Sequence, residues 1–225
     1  MDKLPIHGPI VQVAIDVLDI DTALRIAEAA VRAGVDWLEA GTPLITFAGT
    51  RAIGALADAF PGVPVLADYK MMDGVRKYVV ETATRGGRLA TICSVASDAS
   101  LRESIAAGRD AGVTMITDLY AHPDVPGRAV ELEAMGIDSV YVHWGADQRK
   151  EMPDHDPLAD LPAVVERVGI PVGVGTFSVE DGVRAFTLGA SIAVIGVPLI
   201  SGPDVESDLR RYVEEAKACW KGCAR

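Results

Sequence analysis

Short, almost unbroken apolar runs recur along the chain about every 25–30 residues, and each is followed by a stretch with helical spacing. The runs fall at residues 11–16, 37–41, 63–70, 89–95, 114–120, 139–145, 170–176 and 192–199. They are rich in Val, Ile and Leu and do not alternate with polar residues. That is the pattern of strands covered on both faces, as in a parallel sheet wrapped by helices. The clearest helical stretches are 21–34, 98–112, 179–189 and 203–217. In 21–34 the apolar face is Ala23, Leu24, Ile26, Ala27 and Ala30, and in 98–112 it includes Leu101, Ile105 and Ala106. Gly34, Gly112, Gly136 and Gly189 each stand between a helix and the next strand, where a left-handed residue ends a helix.

Eight strands alternating with helices predict a single (β/α)8 barrel domain over residues 1–225. The competing arrangement is a doubly wound open sheet, which carries a glycine-rich first turn. Here that turn is Asp16-Val17-Leu18-Asp19, with no G-x-G-x-x-G. Residues 150–157, rich in proline and charge, are expected to form a longer loop after strand 6.

The chain of 225 residues is 49% hydrophobic and 24% charged, enough to build a sizeable core. Its net charge of −11 and lack of basic stripes argue against nucleic acid as a partner. No apolar run approaches the ~20 residues of a bilayer span, so no membrane partner is expected. The first residues lack the apolar core of a secretory signal. Three cysteines (Cys93, Cys219 and Cys223) form no disulfide framework, and a reducing cytoplasm is the expected location. Cys219 and Cys223 have no other His or Cys nearby in sequence, so a zinc site is not expected there.

In a (β/α)8 barrel the chemistry lies at the C-terminal strand ends. Those ends carry Asp16, Glu39, Asp68 with Lys70, Asp118, His143, Gly175 with Thr176, and Gly196. Asp68 and Lys70 are two apart on one strand, so both are expected to face the barrel mouth. Asp73 follows at the turn into the next helix. By itself D-x-K-x-x-D fits an ion pair and a helix cap as well as it fits a site. With Asp16 and Glu39 on neighbouring strands, four carboxylates surround one lysine, and the excess negative charge calls for a cation such as Mg²⁺. Asp118 lies inside an apolar run, where it is either a buried hydrogen-bonding residue or a substrate ligand. His143 is placed to donate a proton or hold substrate. His7, His122 and His155 are read as structural or solvated. The glycines ending strands 7 and 8 would let backbone N–H groups approach a phosphate.

These residues also carry a resemblance. The segments Val11-Gln12-Val13-Ala14-Ile15-Asp16, Glu39-Ala40-Gly41-Thr42-Pro43-Leu44-Ile45, Ala67-Asp68-Tyr69-Lys70-Met71-Met72-Asp73 and Val142-His143-Trp144-Gly145 are similar to those of the orotidine-monophosphate-decarboxylase superfamily. The likeness runs over residues 11–213. Within the superfamily the chain most resembles the 3-hexulose-6-phosphate synthases, and next the 3-keto-L-gulonate-6-phosphate decarboxylases. The resemblance implies a Mg²⁺-dependent carbon–carbon lyase that works on a sugar phosphate through an enediolate. In the synthase form, the enediolate of ribulose 5-phosphate attacks formaldehyde. Glu39 and Asp68 would hold Mg²⁺, Asp16 would bind substrate hydroxyls and Lys70 would stabilise the enediolate. Asp73 would reach into a partner subunit, making the active unit a homodimer. His143 would transfer protons or position substrate, and Gly175, Thr176 and Gly196 would hold the phosphate.

The decarboxylase branch carries an arginine three residues after the strand 6 histidine. Here that position is Ala146, and Arg149 is out of register. The synthase reaction is therefore favoured over decarboxylation of a keto-sugar-acid phosphate, and an unassigned relative with a different sugar-phosphate substrate stands as a further alternative. A silent barrel that only binds a phosphorylated ligand would have no need of Lys70 amid carboxylates. There are further departures. Thr176 replaces the second glycine of the phosphate loop, and its side chain is expected to narrow the space. Val197 stands where some relatives have arginine. Arg85-Gly86-Gly87-Arg88 replaces A-G-A-D. Trp144, Tyr69 and Met71 are bulkier than usual and are expected to flank the pocket.

Overall fold

A computed structural model describes residues 2–220. Its strands are β1 (Ile10–Ile15), β2 (Trp37–Ala40), β3 (Val65–Met71), β4 (Leu89–Cys93), β5 (Thr114–Asp118), β6 (Ser139–Val142), β7 (Val172–Thr176) and β8 (Ile192–Ile195). All pair in parallel, and β8 closes on β1. The described residues thus form a closed (β/α)8 barrel. The helices are α1 (Ile20–Ala33), α2 (Thr42–Ala48), α3 (Arg51–Ala59), α4 (Val75–Thr84), α5 (Asp98–Ala111), α6 (Val125–Met135), α7 (Ala146–Glu151), α8 (Leu161–Arg167), α9 (Val179–Thr187) and α10 (Val205–Ala218).

Helix ends follow their local chemistry. Asp19, Ser97, Asp124, Ser178 and Asp204 cap α1, α5, α6, α9 and α10 by accepting backbone N–H bonds. Each such cap contributes about 1 kcal/mol. Gly34, Gly112 and Gly136 end α1, α5 and α6 in the left-handed conformation. Three expectations need correction. The strand after α8 begins at Val172 rather than residue 170, and the last strand stops at Ile195, followed by a short 3₁₀ turn at Leu199–Ser201. Lys150 and Glu151, at the start of the loop expected over 150–157, instead end α7, whose Ala146, Gln148, Arg149, Lys150 and Glu151 are good helix formers; the rest of that stretch is non-helical.

The strand residues sort into layers. Ile10, Trp37, Leu66, Leu89, Ile116, Tyr141 and Ile192 pack together at the N-terminal end of the barrel interior. Leu4 and Ile6 of the N-terminal arm close that end from below. The arm is fastened by Lys3 to Asp138 at 2.7 Å and by the Leu4 carbonyl to the Thr114 hydroxyl at 3.0 Å. The alternate strand residues, such as Val11, Val13, Leu38 and Val140, join the helices in a second cluster outside the barrel. Two residues further along from the apolar inner layer, the interior turns polar on β1 to β6: Gln12, Glu39, Asp68, Thr91, Asp118 and His143. The apolar floor therefore holds the polar layer at the mouth. Cys219 is described and free, whereas Cys223 lies outside the described residues.

Candidate active site

The polar layer opens into a cavity of about 170 Å³, lined by Asp16, Glu39, Asp68, Lys70, Asp118, His143, Gly175, Thr176 and Gly196 among others. Every strand-end residue singled out in the sequence reaches it except Asp73, which is exposed on the turn before α4.

Lys70 is the centre. It pairs with Asp68, lies 3.7 Å from Asp118, and donates to the Thr42 hydroxyl at 3.2 Å. Its backbone is unusual: φ is +49°, and the β3–β4 register shifts between Ala67 and Met71. Such a bulge aims a side chain at the cost of local strain, which costs about 1–3 kcal/mol. The Lys70 N–H finds the Thr91 hydroxyl at 3.0 Å. Asp68 is held on both oxygens, by Thr91 Oγ1 and by Thr42 Oγ1, each at 2.6 Å. Burial works against the charge on Lys70, but Asp68, Asp118 and Glu39 hold its ammonium above the ordinary lysine range. The lysine is a fixed cation.

Glu39 is 6% exposed and accepts from Gln12 Nε2. Gln12 in turn accepts from Tyr141 Oη at 2.7 Å. Burial, then the nearby Asp68 and Asp16 charges, push the Glu39 carboxyl well above its usual range. Asp16 is raised in the same way, by burial and then Asp68. Gly41 leaves space for this aspartate, since a Cβ there would stand 2.1 Å from Asp16 Oδ1. Asp118 accepts from His143 Nδ1 at 2.8 Å and from the Tyr120 N–H at 2.9 Å. Burial opposes its charge, yet His143, Lys70 and the Tyr120 N–H bring its carboxyl below the usual range. Cys93 bonds the Lys70 carbonyl at 3.4 Å, and burial pushes its thiol up to about 11, so it is no nucleophile at neutral pH.

Gly175 and Gly196 have different reasons to be glycine. A Cβ at 175 would meet nothing closer than His143 Cδ2 at 3.9 Å, so the absent side chain leaves open cavity. A Cβ at 196 would press the Ala14 carbonyl at 3.0 Å.

A family model described as "Orotidine 5'-phosphate decarboxylase / HUMPS family" matches residues 9–212. The chain belongs to this family. It is 31% identical over 208 residues to "3-hexulose-6-phosphate synthase 2" of Staphylococcus saprophyticus, covering 92% of this chain and 94% of that one. It is 32% identical over 213 residues to "3-hexulose-6-phosphate synthase" of Staphylococcus aureus, covering 92% and 95%. A crystal structure of 3-hexulose-6-phosphate synthase superposes with a TM-score of 0.85 at 30% identity, over 93% of this chain and 99% of that one. The 3-hexulose-6-phosphate synthase from Salmonella typhimurium gives 0.87 at 26% identity, with the same coverage.

Against other members of the orotidine-phosphate-decarboxylase/HUMPS family, several departures turn out to lie away from the cavity. The Thr176 hydroxyl does not narrow the pocket. It donates to the Val194 carbonyl at 2.8 Å and meets Tyr212 Oη of α10 at 2.7 Å, so it points into the helix shell. Trp144 stacks on His155 with ring centroids 3.9 Å apart, in a separate hollow. Tyr69 packs edge-on against Tyr78, and Met71 is buried in the outer cluster. Arg85 pairs with Glu81, and Arg88 bonds the Asp2 carbonyl. Only Ala146, Val197 and the backbone of Thr176 bear on the cavity.

Gln12, Thr42, Thr91 and Tyr141 were not singled out in the sequence. Gln12 had a signal, since it is the one polar residue within β1 and shares the parity of Asp16. Thr42, at the start of α2, had none beyond its place in the Glu39–Ile45 segment.

Proposed function

We propose that this chain is a carbon–carbon lyase of the 3-hexulose-6-phosphate-synthase type, joining ribulose 5-phosphate to formaldehyde through an enediolate. The observation that carries this reading is Lys70, fixed as a cation between Asp68 and Asp118 on the floor of a cavity that also holds Asp16 and Glu39. An enediolate spreads negative charge over two adjacent oxygens, and a preorganised ammonium stabilises it where it forms. The full-length likeness to named synthases supports the same reaction.

Lys70 donates to the developing enediolate oxygen. Asp16 accepts from substrate hydroxyls, and its proximity to Gly41 fixes its position. His143, oriented through Nδ1 by Asp118, keeps Nε2 for moving a proton to or from substrate. The wall at Ala146 is apolar and uncharged, which suits a neutral aldehyde better than a carboxylate.

The donor set fits a hard divalent cation. Burial and mutual repulsion raise both Glu39 and Asp16, and a cation relieves that repulsion. Among the described residues no three His, Cys, Asp or Glu side chains group to hold a metal unaided, so Glu39 and Asp68 would share Mg²⁺ with substrate or water oxygens. When bound, Mg²⁺ supplies a second positive charge beside the reacting oxygens. Asp73, exposed and outside its own barrel's cavity, is assigned to the neighbouring subunit of a homodimer. The phosphate rests on the backbone of Gly175, Thr176 and Gly196. Among the described residues no helix is long and apolar enough to cross a membrane.

The test is a pair of coupled assays with Mg²⁺ present. Formaldehyde should be consumed with ribulose 5-phosphate, and 3-keto-L-gulonate 6-phosphate should not be decarboxylated at a comparable rate. The reverse preference would sink the reading.

A further inference from the structure

We propose that Arg149 is the residue that clamps the substrate's phosphate, swinging to it from a resting place on Phe177. The inference rests on the reading of a phosphorylated substrate in this cavity. Ala146, the first residue of α7, lines the cavity, and Arg149 is three residues further on, one turn along the same helix face. The Arg149 guanidinium carbon lies 4.3 Å from the centre of the Phe177 ring. Phe177 itself lines the cavity beside Gly175 and Thr176. The cation is therefore at the rim of the pocket, on its glycine side.

Charge accounting points the same way. A phosphate monoester arrives as a dianion, and the cavity's own basic groups are engaged: Lys70 with Asp68 and Asp118, His143 with Asp118. The backbone is less welcoming than the glycines suggest. The Phe177 N–H is already taken by Asp181 Oδ2 at 3.0 Å, and the first turn of α9 carries Glu180 and Asp181. Those two acids offset the positive end of the helix dipole. Arg184 is committed to Asp156 at 2.6 Å, with Asp181 at 3.9 Å, and Lys150 to Asp147 at 3.2 Å. Arg149 joins no ion pair among the described residues, only the ring. An exposed cation–π contact is weak beside a bidentate guanidinium–phosphate pair, so an arriving phosphate outcompetes Phe177. The lost arginine register at Ala146 is thereby answered one turn later, with the charge moved from the reacting end of the substrate to its phosphate end.

The test reads binding rather than turnover. Ribulose 5-phosphate, ribulose and inorganic phosphate are titrated calorimetrically into wild type, Arg149→Gln, Arg149→Lys and Lys150→Gln, the last changing net charge equally next door. Arg149→Gln should weaken ribulose 5-phosphate and inorganic phosphate by about 10- to 100-fold, the value of one charged hydrogen-bonding pair. Unphosphorylated ribulose should stay within about twofold, Arg149→Lys should recover part of the loss, and Lys150→Gln should resemble wild type. Equal weakening of both sugars, or an Arg149→Gln variant that binds the phosphorylated sugar like wild type, overturns the assignment. So does a wild type that binds neither phosphorylated probe. A wild type that binds ribulose 5-phosphate through Arg149 but does not condense it with formaldehyde sinks the proposed reaction and leaves the clamp standing.

Discussion

The two sides of the barrel mouth solve opposite problems. On the side built by β1, β2, β3 and β5, four carboxylates and one ammonium crowd together, and most are tied to neighbours: Lys70 to Asp68 and Thr42, Asp68 to Thr91, Glu39 to Gln12, Asp118 to His143. On the side built by β7 and β8, the surface is glycine, an outward-turned threonine and a half-exposed valine. The charged side is over-determined, so a side chain removed there leaves buried charges uncompensated. The glycine side is defined by what is missing, so changes there act on fit and packing. Position by position, the same barrel should therefore answer mutation in different units: rate and pH dependence on one side, affinity and stability on the other.

The largest effect is expected at the centre of the charged side. Lys70→Ala removes the one fixed cation among four carboxylates. Loss of a single preorganised charge stabiliser costs about 10²–10³-fold in rate, and the uncompensated Asp68 and Asp118 should push the loss to the upper end or beyond. Removing one partner of a buried pair also destabilises, by about 3–5 kcal/mol. Steady-state kinetics and thermal melts report both. Activity within tenfold of wild type would contradict a charge-stabilising lysine.

Glu39 offers a sharper, smaller test because its environment fixes a sign. Its carboxyl is raised above the ordinary 4.5 by burial and by Asp68 and Asp16. A carboxyl raised in the folded state holds its proton more tightly there than in the unfolded chain. That stability is fully present below pH 4.5, and it is lost as pH rises through the folded value. Metal-free Glu39→Gln keeps a neutral partner for Gln12 at every pH. Its melting temperature relative to wild type should therefore climb as pH is raised from about 4 to 8, an effect of linkage between proton binding and folding. Added Mg²⁺ should stabilise wild type more than the variant, since ligand bound to the folded state raises stability by mass action. A pH-independent difference would contradict the raised carboxyl, and equal stabilisation by Mg²⁺ would remove Glu39 from the proposed metal ligands.

How much of this was legible beforehand divides along the same line. The charged side was readable because aspartate, glutamate and lysine stand out where apolar strands stop, and a two-residue strand period says which way they face. What the period could not supply was the bulge at Lys70, whose positive φ depends on the register slip against β4. Nor could it supply the contacts from Thr42 and Thr91, which only barrel closure brings to Asp68. The bulky residues beside the site and the glycine side were less readable. Trp144, Tyr69 and Met71 looked like pocket residues from their nearness in sequence to His143 and Lys70, but Tyr69 and Met71 alternate outward along β3, and Trp144, beyond the end of β6, stacks on His155. Strand parity alone would have turned Tyr69 and Met71 outward. It also turns Thr176 away from the side of β7 that Gly175 faces; what it could not supply is the partner of the hydroxyl, Tyr212, 36 residues away on α10.

That contact gives the smallest of the expected effects and the cleanest separation of the two sides. Thr176→Val keeps the shape of the side chain while deleting the hydroxyl that meets Tyr212 Oη at 2.7 Å and the Val194 carbonyl at 2.8 Å. Tyr212 is fully buried, so its hydroxyl would be left without that partner. A buried polar group stranded in this way costs about 1–3 kcal/mol, or about 2–12 °C in melting temperature for a chain of this size. The cavity should not notice: the methyls occupy the helix-facing side, and the residue 176 backbone that faces substrate is unchanged. KM for the phosphorylated substrate should stay within about twofold of wild type, because no transition-state or ground-state contact is removed. A variant with unshifted melting and a raised KM would return the threonine side chain to the pocket. It would also return substrate selectivity to a position that the geometry assigns to the attachment of α10.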